Sequence, residues 1–313
     1  MDELIVDFHV HPKRRSMLVI DEILREMDEA GISKAVLLGK DTDPLDIERP
    51  EIRNKVISRY LGSSLARMTG LDDAENIIEM IEKIRAGLSR SITTNKEIAD
   101  LVESHPGRFV GLGAINLSKD EEYVRGKLKE VESLELKGLK LHPIAYFFNP
   151  ADSENLRIVC ENFEKNGKIL LFHTGCSPGY GEIPEVAVDA NPKYLEQIAE
   201  EYNVPIVLAH SGFYSAEFPG IWFEEALELG RKHSNVSLEV SAVAFILDNE
   251  KLVGKVREAV GMDRVILGSD YLEYMKISVD IVKNSPYLTS DEKKNILGFN
   301  AARILKMPLT KEN

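Results

Sequence analysis

The chain has 313 residues, 43 % of them hydrophobic, which is enough to bury a large core and argues against intrinsic disorder. Its 52 acidic residues outweigh 39 basic ones for a net charge of −13, and the longest basic run is only Lys13-Arg14-Arg15. No nucleic-acid or anionic-membrane partner is therefore expected. Two cysteines, Cys160 and Cys176, cannot build a disulfide framework, and Met1-Asp2-Glu3 lacks the positive charge of a signal peptide. With no apolar run near the roughly 20 residues of a membrane span, the expectation is a soluble, cytoplasmic protein that acts on a small molecule and could form a homo-oligomer.

In chain order, the first β-rich run is Leu4–His11, followed by a helical pattern over Val19–Ala30 that stops at Gly31. The second run is Lys34–Leu38. From Lys40 to about Thr94 the chain is far too long for an ordinary βα crossover, so it carries extra structure. Pro50–Leu61 and Asp72–Leu88 read as helices there, with Gly62-Ser63-Ser64 and Thr69-Gly70 between them. Leaving a strand's C-terminal end, this insert belongs over the mouth, as a lid or part of a subunit interface. Regular alternation then resumes. Helical segments Asn95–Ser104, Asp120–Leu134, Ser153–Asn166, Pro192–Tyr202, Phe223–His233 and Asn249–Val260 separate the runs Arg108–Ile115, Gly138–His142, Lys168–Thr174, Pro205–Ser211, Val236–Ala242 and Arg264–Asp270. Asn166-Gly167 and Val260-Gly261 are further stop signals. Runs such as Ile169-Leu170-Leu171-Phe172 are continuously apolar, as parallel strands covered on both faces must be. Eight β-α units predict an α/β fold, a (β/α)8 TIM barrel forming one domain over 1–313 with the helical insert at about 40–94. An open doubly wound sheet would carry a glycine-rich phosphate loop after the first strand, where His9-Val10-His11-Pro12 stands instead.

Inward-pointing barrel residues are normally aliphatic. Here the strand ends carry His9, His11, Lys140, His142, His173, His210 and Asp270. Singly, each has a structural explanation: a satisfied core histidine, or an aspartate capping a helix. Together they converge on one mouth, because barrel strands share a C-terminal face. His9 and His11 project to the same side of their strand. Burying so many polar groups unpaired would cost several kcal/mol, by the usual penalty per group, and a bound cation removes it. His105 and His233 end helices and read as surface or capping residues.

With these residues in view, the chain resembles the amidohydrolase superfamily, and within it the amidohydrolase-related branch. That branch includes 2-amino-3-carboxymuconate-6-semialdehyde decarboxylase, resorcylate-type decarboxylases and lactone hydrolases. The similarity runs through Val6-Asp7-Phe8-His9-Val10-His11, His105-Pro106-Gly107-Arg108-Phe109-Val110-Gly111-Leu112 and Gly138-Leu139-Lys140-Leu141-His142-Pro143. It continues through Phe172-His173-Thr174-Gly175, Ala209-His210-Ser211-Gly212, Gly268-Ser269-Asp270-Tyr271 and Asn300-Ala301-Ala302-Arg303-Ile304-Leu305. Leu272-Glu273 stands where a proline often follows in the branch, and the insert matches no motif of it.

The resemblance implies that His9, His11, His173 and Asp270 bind one divalent metal, zinc foremost, with manganese or iron as alternatives. It also implies that His210 contacts the metal-bound water or the substrate. Lys140, with His142 on the same strand face, is expected to bind substrate. A buried ammonium needs an anion, and three remain open: a carbamate on Lys140 bridging two metals, a barrel carboxylate such as Glu239, or the substrate itself. The expected chemistry is metal-assisted hydrolysis of an amide, lactone or ester, with Asp270 taking the proton from water and His210 stabilising the oxyanion. The same ligands also suit non-oxidative decarboxylation. A non-catalytic metal-binding protein is disfavoured because Asp270 and His210 are both present.

Overall fold

The computed structural model describes residues 4–14, 16–64, 66, 74–90 and 92–307. Eight parallel strands follow the expected order: β1 (Val6–Val10), β2 (Lys34–Leu38), β3 (Phe109–Leu112), β4 (Gly138–Leu141), β5 (Ile169–His173), β6 (Ile206–Ala209), β7 (Val236–Glu239) and β8 (Val265–Ile266). Consecutive strands pair in parallel from β1 to β3 and from β4 to β8. Bridges between Gly113 and Leu139 and between Val10 and Asp270 close the ring. The last seam is tied by Phe8 N–H to Leu267 O (3.0 Å) and Asp270 N–H to His9 O (2.9 Å). It is reinforced by the buried Asp7 carboxylate, whose Oδ1 accepts from the backbone N–H of His9 (3.1 Å) and of Ser269 (3.0 Å).

Alternate strand residues form two apolar layers. Val6, Phe8, Val36, Leu38, Leu171 and Val207 share one cluster, while Leu37, Leu139, Leu170 and Leu208 join the residues of the surrounding helices. The second cluster receives stripes such as Ile23 and Met27 of α1 (Ile20–Ala30). That helix ends at Gly31, whose φ of 72° supplies the left-handed cap a side chain would resist. A bulge in β1 lies between Asp7 and Val10. Beyond it Val10 joins the helix-facing layer and His9 and His11 line the central cavity. Bulges re-aim side chains, and this one delivers two imidazoles where strict alternation from Phe8 would have delivered Val10.

The insert holds α2 (Pro50–Leu61), begun by a proline in its first turn, and α3 (Ala74–Ser89). The expected turn at Thr69-Gly70 and the start of the second helix at Asp72 lie outside the described residues. The insert's roots meet in an antiparallel bridge, with Lys40 N–H to Thr93 O at 2.8 Å and Thr93 N–H to Lys40 O at 2.9 Å. Ile52, Val56 and Tyr60 of α2 and Ile81, Ile84 and Leu88 of α3 face the core at helical spacing. At one end the insert reaches the two-stranded hairpin after β1 (Lys13–Arg14 with Met17–Leu18), where Lys13 Nζ donates to Ile92 O (2.9 Å) and Ser16 Oγ to Arg90 O (3.2 Å). At the other end the guanidinium of Arg59 grips the buried Asp189, beyond β5, through two hydrogen bonds of 2.6 and 2.9 Å. Lys55 adds an ion pair to Asp189 at 2.8 Å. No helix among the described residues is long and apolar enough to cross a membrane, and Cys160 and Cys176 are free and buried.

Candidate metal centre and active site

The C-terminal strand ends surround a cavity of about 470 Å³. Four residues beyond the last three strands hold left-handed backbone without being glycine: His210 (φ 62°) and Asp270 (68°), which line the cavity, and Ser211 (54°) and Ala242 (58°). Such conformations cost on the order of 1 kcal/mol or more each and persist where the surrounding structure over-determines them. β6 runs directly into such a residue, while β7 and β8 lose regular pairing three and four residues before Ala242 and Asp270.

Asp270 Oδ1 lies 3.5 Å from His9 Nε2 and 3.4 Å from His11 Nε2, so these three converge on one point. Burial would raise the Asp270 carboxyl, but the imidazoles of His9, His11 and His210 outweigh it and hold it below the usual carboxylate range. Burial in turn, aided by neighbouring positive groups, keeps His9, His142 and His173 well below the ordinary histidine value. An ionised Asp270 beside a neutral His9 imidazole is the state in which both ligate.

A hydrogen-bonded knot behind His9 decides which ring nitrogen faces the cavity. The fully buried Glu239 Oε2 accepts from Ser241 Oγ (2.7 Å) and lies 3.3 Å from His9 Nδ1. Ser241 Oγ also lies 3.0 Å from His9 Nδ1 and 2.9 Å from His210 Nδ1, and the Ser241 carbonyl is 3.0 Å from that same His210 nitrogen. Because the hydroxyl proton goes to Glu239, both Nδ1 atoms must donate. His9 and His210 are thereby fixed with Nε2 unprotonated, the form a metal or a proton requires. Gly268 makes the knot possible: a Cβ there would collide with the Glu239 carboxylate. Glu239, His9 and His210 also cluster closely, but Ser241 already fills the space among their donor atoms.

His173 stands apart from the His9–His11–Asp270 group. Its Nε2 donates to Cys176 O (2.8 Å), and its ring stacks on His142 with centroids 3.9 Å apart. His142 caps the next turn through Nδ1, which accepts from Ala145 N–H (3.3 Å), leaving its Nε2–H as a donor. Lys140 Nζ donates to His9 Nε2 at 3.4 Å. Glu239, offered above as its counter-ion, makes its hydrogen bonds with Ser241, His9 and the backbone N–H of His210 and reaches Lys140 by charge alone. Burial pushes the Lys140 ammonium down to about 8, opposed by Asp270 and Glu239.

The sequence reading missed several lining residues. Lys40 follows β2, Arg90 and Thr93 close the insert, and Tyr214 and Tyr271 meet hydroxyl to hydroxyl at 3.1 Å. The polar alternation Ser237, Glu239, Ser241 along an otherwise apolar strand was the available signal for the knot.

Similarity to known structures follows the same architecture. A 5-carboxyvanillate decarboxylase from Sphingomonas paucimobilis superposes with a TM-score of 0.62 at 18 % identity, over 97 % of this chain and 99 % of that one. A probable 2-pyrone-4,6-dicarboxylic acid hydrolase from Acinetobacter baumannii gives 0.60 at 14 % identity, over 98 % and 100 %. A dihydroxybenzoic acid decarboxylase from Polaromonas, with bound manganese, gives 0.60 at 15 % identity, over 97 % of each chain. No curated protein matches the chain by sequence. The family model described as amidohydrolase, however, matches residues 6–307, nearly the full length. On that match the chain belongs to the amidohydrolase family and is an enzyme of this metal-dependent group.

Proposed function

We propose that the protein is a metal-dependent hydrolase that cleaves an amide, lactone or ester bond in a small organic acid. The observation that carries this reading is the convergence of Asp270 Oδ1 on His9 and His11, with His9 fixed in the ligating tautomer from behind. Two imidazoles and a carboxylate suit a first-row divalent cation, zinc or manganese or iron. His9, His11 and Asp270 would hold it, with His173 as a further ligand. When bound, such a cation acidifies water and polarises a substrate carbonyl. Asp270 takes the proton from the attacking water and passes it to the leaving group. His210, presenting an unprotonated Nε2, accepts a hydrogen bond from the water or a substrate hydroxyl. It donates to a developing oxyanion only after taking up a proton itself. Lys140 and His142 offer N–H donors to a substrate carboxylate. The Lys140 donor turns to the cavity whenever the His9 lone pair is engaged elsewhere.

Purified protein should contain close to one equivalent of a divalent metal, reduced in the double variant His9→Ala with His173→Ala. Against a panel of lactones, amides and esters of organic acids, turnover in ¹⁸O-water should label the acid product. Metal-loaded Asp270→Asn should lose about 100-fold or more in kcat. Full metal retention in the double variant, or near-normal turnover of loaded Asp270→Asn, would sink the assignment. The cationic wall around Lys140 favours a second reading, a carboxy-lyase acting on the same class of acid, as the names of two similar structures also suggest. Release of CO₂ without ¹⁸O incorporation selects it.

A further inference from the structure

The carboxylates around the mouth are almost all committed. Asp41 accepts both contacts of the Tyr123 hydroxyl (2.9 and 2.7 Å) and Asn116 N–H (2.8 Å). Asp43 and Asp46 hold Lys119 at 2.7 and 2.6 Å, and Glu97 holds Lys13 at 2.7 Å. Asp270 lies against His9 and His11, and Glu239 accepts from Ser241. Against this, Lys40 makes no side-chain hydrogen bond or ion pair with any of the described residues, and Lys140 has only the neutral His9. Both lysines line the cavity, with Arg90 beside them and the exposed Glu273 as the one other acid of its lining. In a chain of net charge −13 this is a local excess of positive charge, on which Asp270 acts only through space and without a direct ion pair to either lysine.

Burial disfavours an ammonium that no anion contacts, and the lysines' mutual repulsion adds to the cost. Lys40 cannot relax far, because its backbone is clamped to Thr93 on both sides and the neighbouring Asp41 is bonded in place. β2 and β4 are two strands apart, roughly 10 Å between backbones at ordinary sheet spacing. Their lysines therefore enter the cavity from separate points and can hold two separate groups.

We propose that Lys40 is a specificity residue that binds a second anionic group of the substrate, so that the natural substrate is a small organic acid carrying at least two negative charges. This rests on the cavity's being the active site, as read above, and not on which bond is cleaved there.

The test measures binding, by calorimetry, to the manganese-loaded full chain. Succinate, glutarate, adipate and benzene-1,3-dicarboxylate are compared with monocarboxylates of matching length and ring. For at least one length the dianion should bind about tenfold tighter than its partner, a preference that weakens with added salt. Lys40→Met should bring that ratio near one while leaving monoanion binding and the melting temperature close to the parent's. Lys40→Arg should restore the ratio, and Lys40→Gln replaces the methionine variant if that one melts early. A preference that survives loss of the ammonium, or a parent protein with none at any length, overturns the proposal. The readouts are independent of turnover. A protein that hydrolyses nothing in the panel still reports the ratio, and a failed ratio leaves the reaction assignment standing.

Discussion

Ser241 Oγ lies within hydrogen-bond distance of Glu239, His9 and His210, and a hydroxyl has one proton to give. That single proton fixes two tautomers at once. None of this was legible from spacing, because the three partners come from β1, β6 and β7 and only the closed ring brings them together. His9, His11 and Asp270 were legible, since their residue types are out of place at strand ends. The same argument placed Lys140 in the pocket and left its anion open. In the structure Glu239 makes no hydrogen bond to Lys140 and favours its ammonium by charge alone, and this has a pH consequence. The folded protein holds Lys140 at about 8 through burial, whereas the unfolded chain holds it at 10.5. Between these values the unfolded state binds more protons, so stability rises with pH there. The buried ammonium thus costs on the order of 3 kcal/mol below about pH 8, a cost relieved toward pH 10.5. Substrate capture runs the other way, because an anion needs the charged form. We expect kcat/KM to fall about tenfold per pH unit above roughly pH 8. Lys140→Arg should move that limb above pH 10, as a guanidinium keeps its proton. A limb that stays near pH 8 in the arginine variant assigns it to another group.

The eight strands were all legible as short apolar runs, and Lys34–Leu38 was read to the residue, yet the ends of the others were read too long. β7 was expected to reach Ala242 and stops at Glu239, and β8 was expected over Arg264–Asp270 and is regular only at Val265–Ile266. Each lost stretch closes on a residue with left-handed backbone, Ala242 and Asp270, where re-aiming the chain takes precedence over pairing. Helix α4 (Met275–Asn284) escaped the reading for a different reason. Its buried stripe of Met275, Val279 and Val282 is mixed with β-branched Ile277 and Ile281, which blur helix into strand. The two insert helices were legible, but their anchorage was not. Asp189 is buried under Arg59 and Lys55, and it is the tie between α2 and the loop after β5. Asp189→Asn should cost about 2 kcal/mol by loss of charge-assisted hydrogen bonds. Amide exchange over 50–61 should then speed up roughly 30-fold, with exchange in β5 and β6 unchanged. Equal loosening of strands and insert would mean that Asp189 supports the barrel itself.

At the scale of the whole molecule, the chemistry and the long excursion are separable by construction. Every ligand candidate and every member of the Ser241 knot comes from a strand end, and none comes from 41–92. The excursion leaves and re-enters through one hydrogen-bonded pair, Lys40 with Thr93, whose backbones already lie as the two legs of a hairpin. A gap that narrow is spanned by a turn of two to five residues in ordinary proteins. The excursion therefore behaves as a cartridge plugged into a finished scaffold. A variant in which a short glycine-containing turn joins Lys40 to Thr93 should keep the far-ultraviolet circular dichroism of a barrel and its metal occupancy. It should melt earlier, because the apolar surface under Val56, Tyr60 and Ile84 becomes wet. Loss of metal together with helix and strand signal would show that the scaffold needs the cartridge in order to fold. If the scaffold stands alone, the same socket can receive other sequences, and the reach of the pocket can be redrawn without touching a single group that moves a proton.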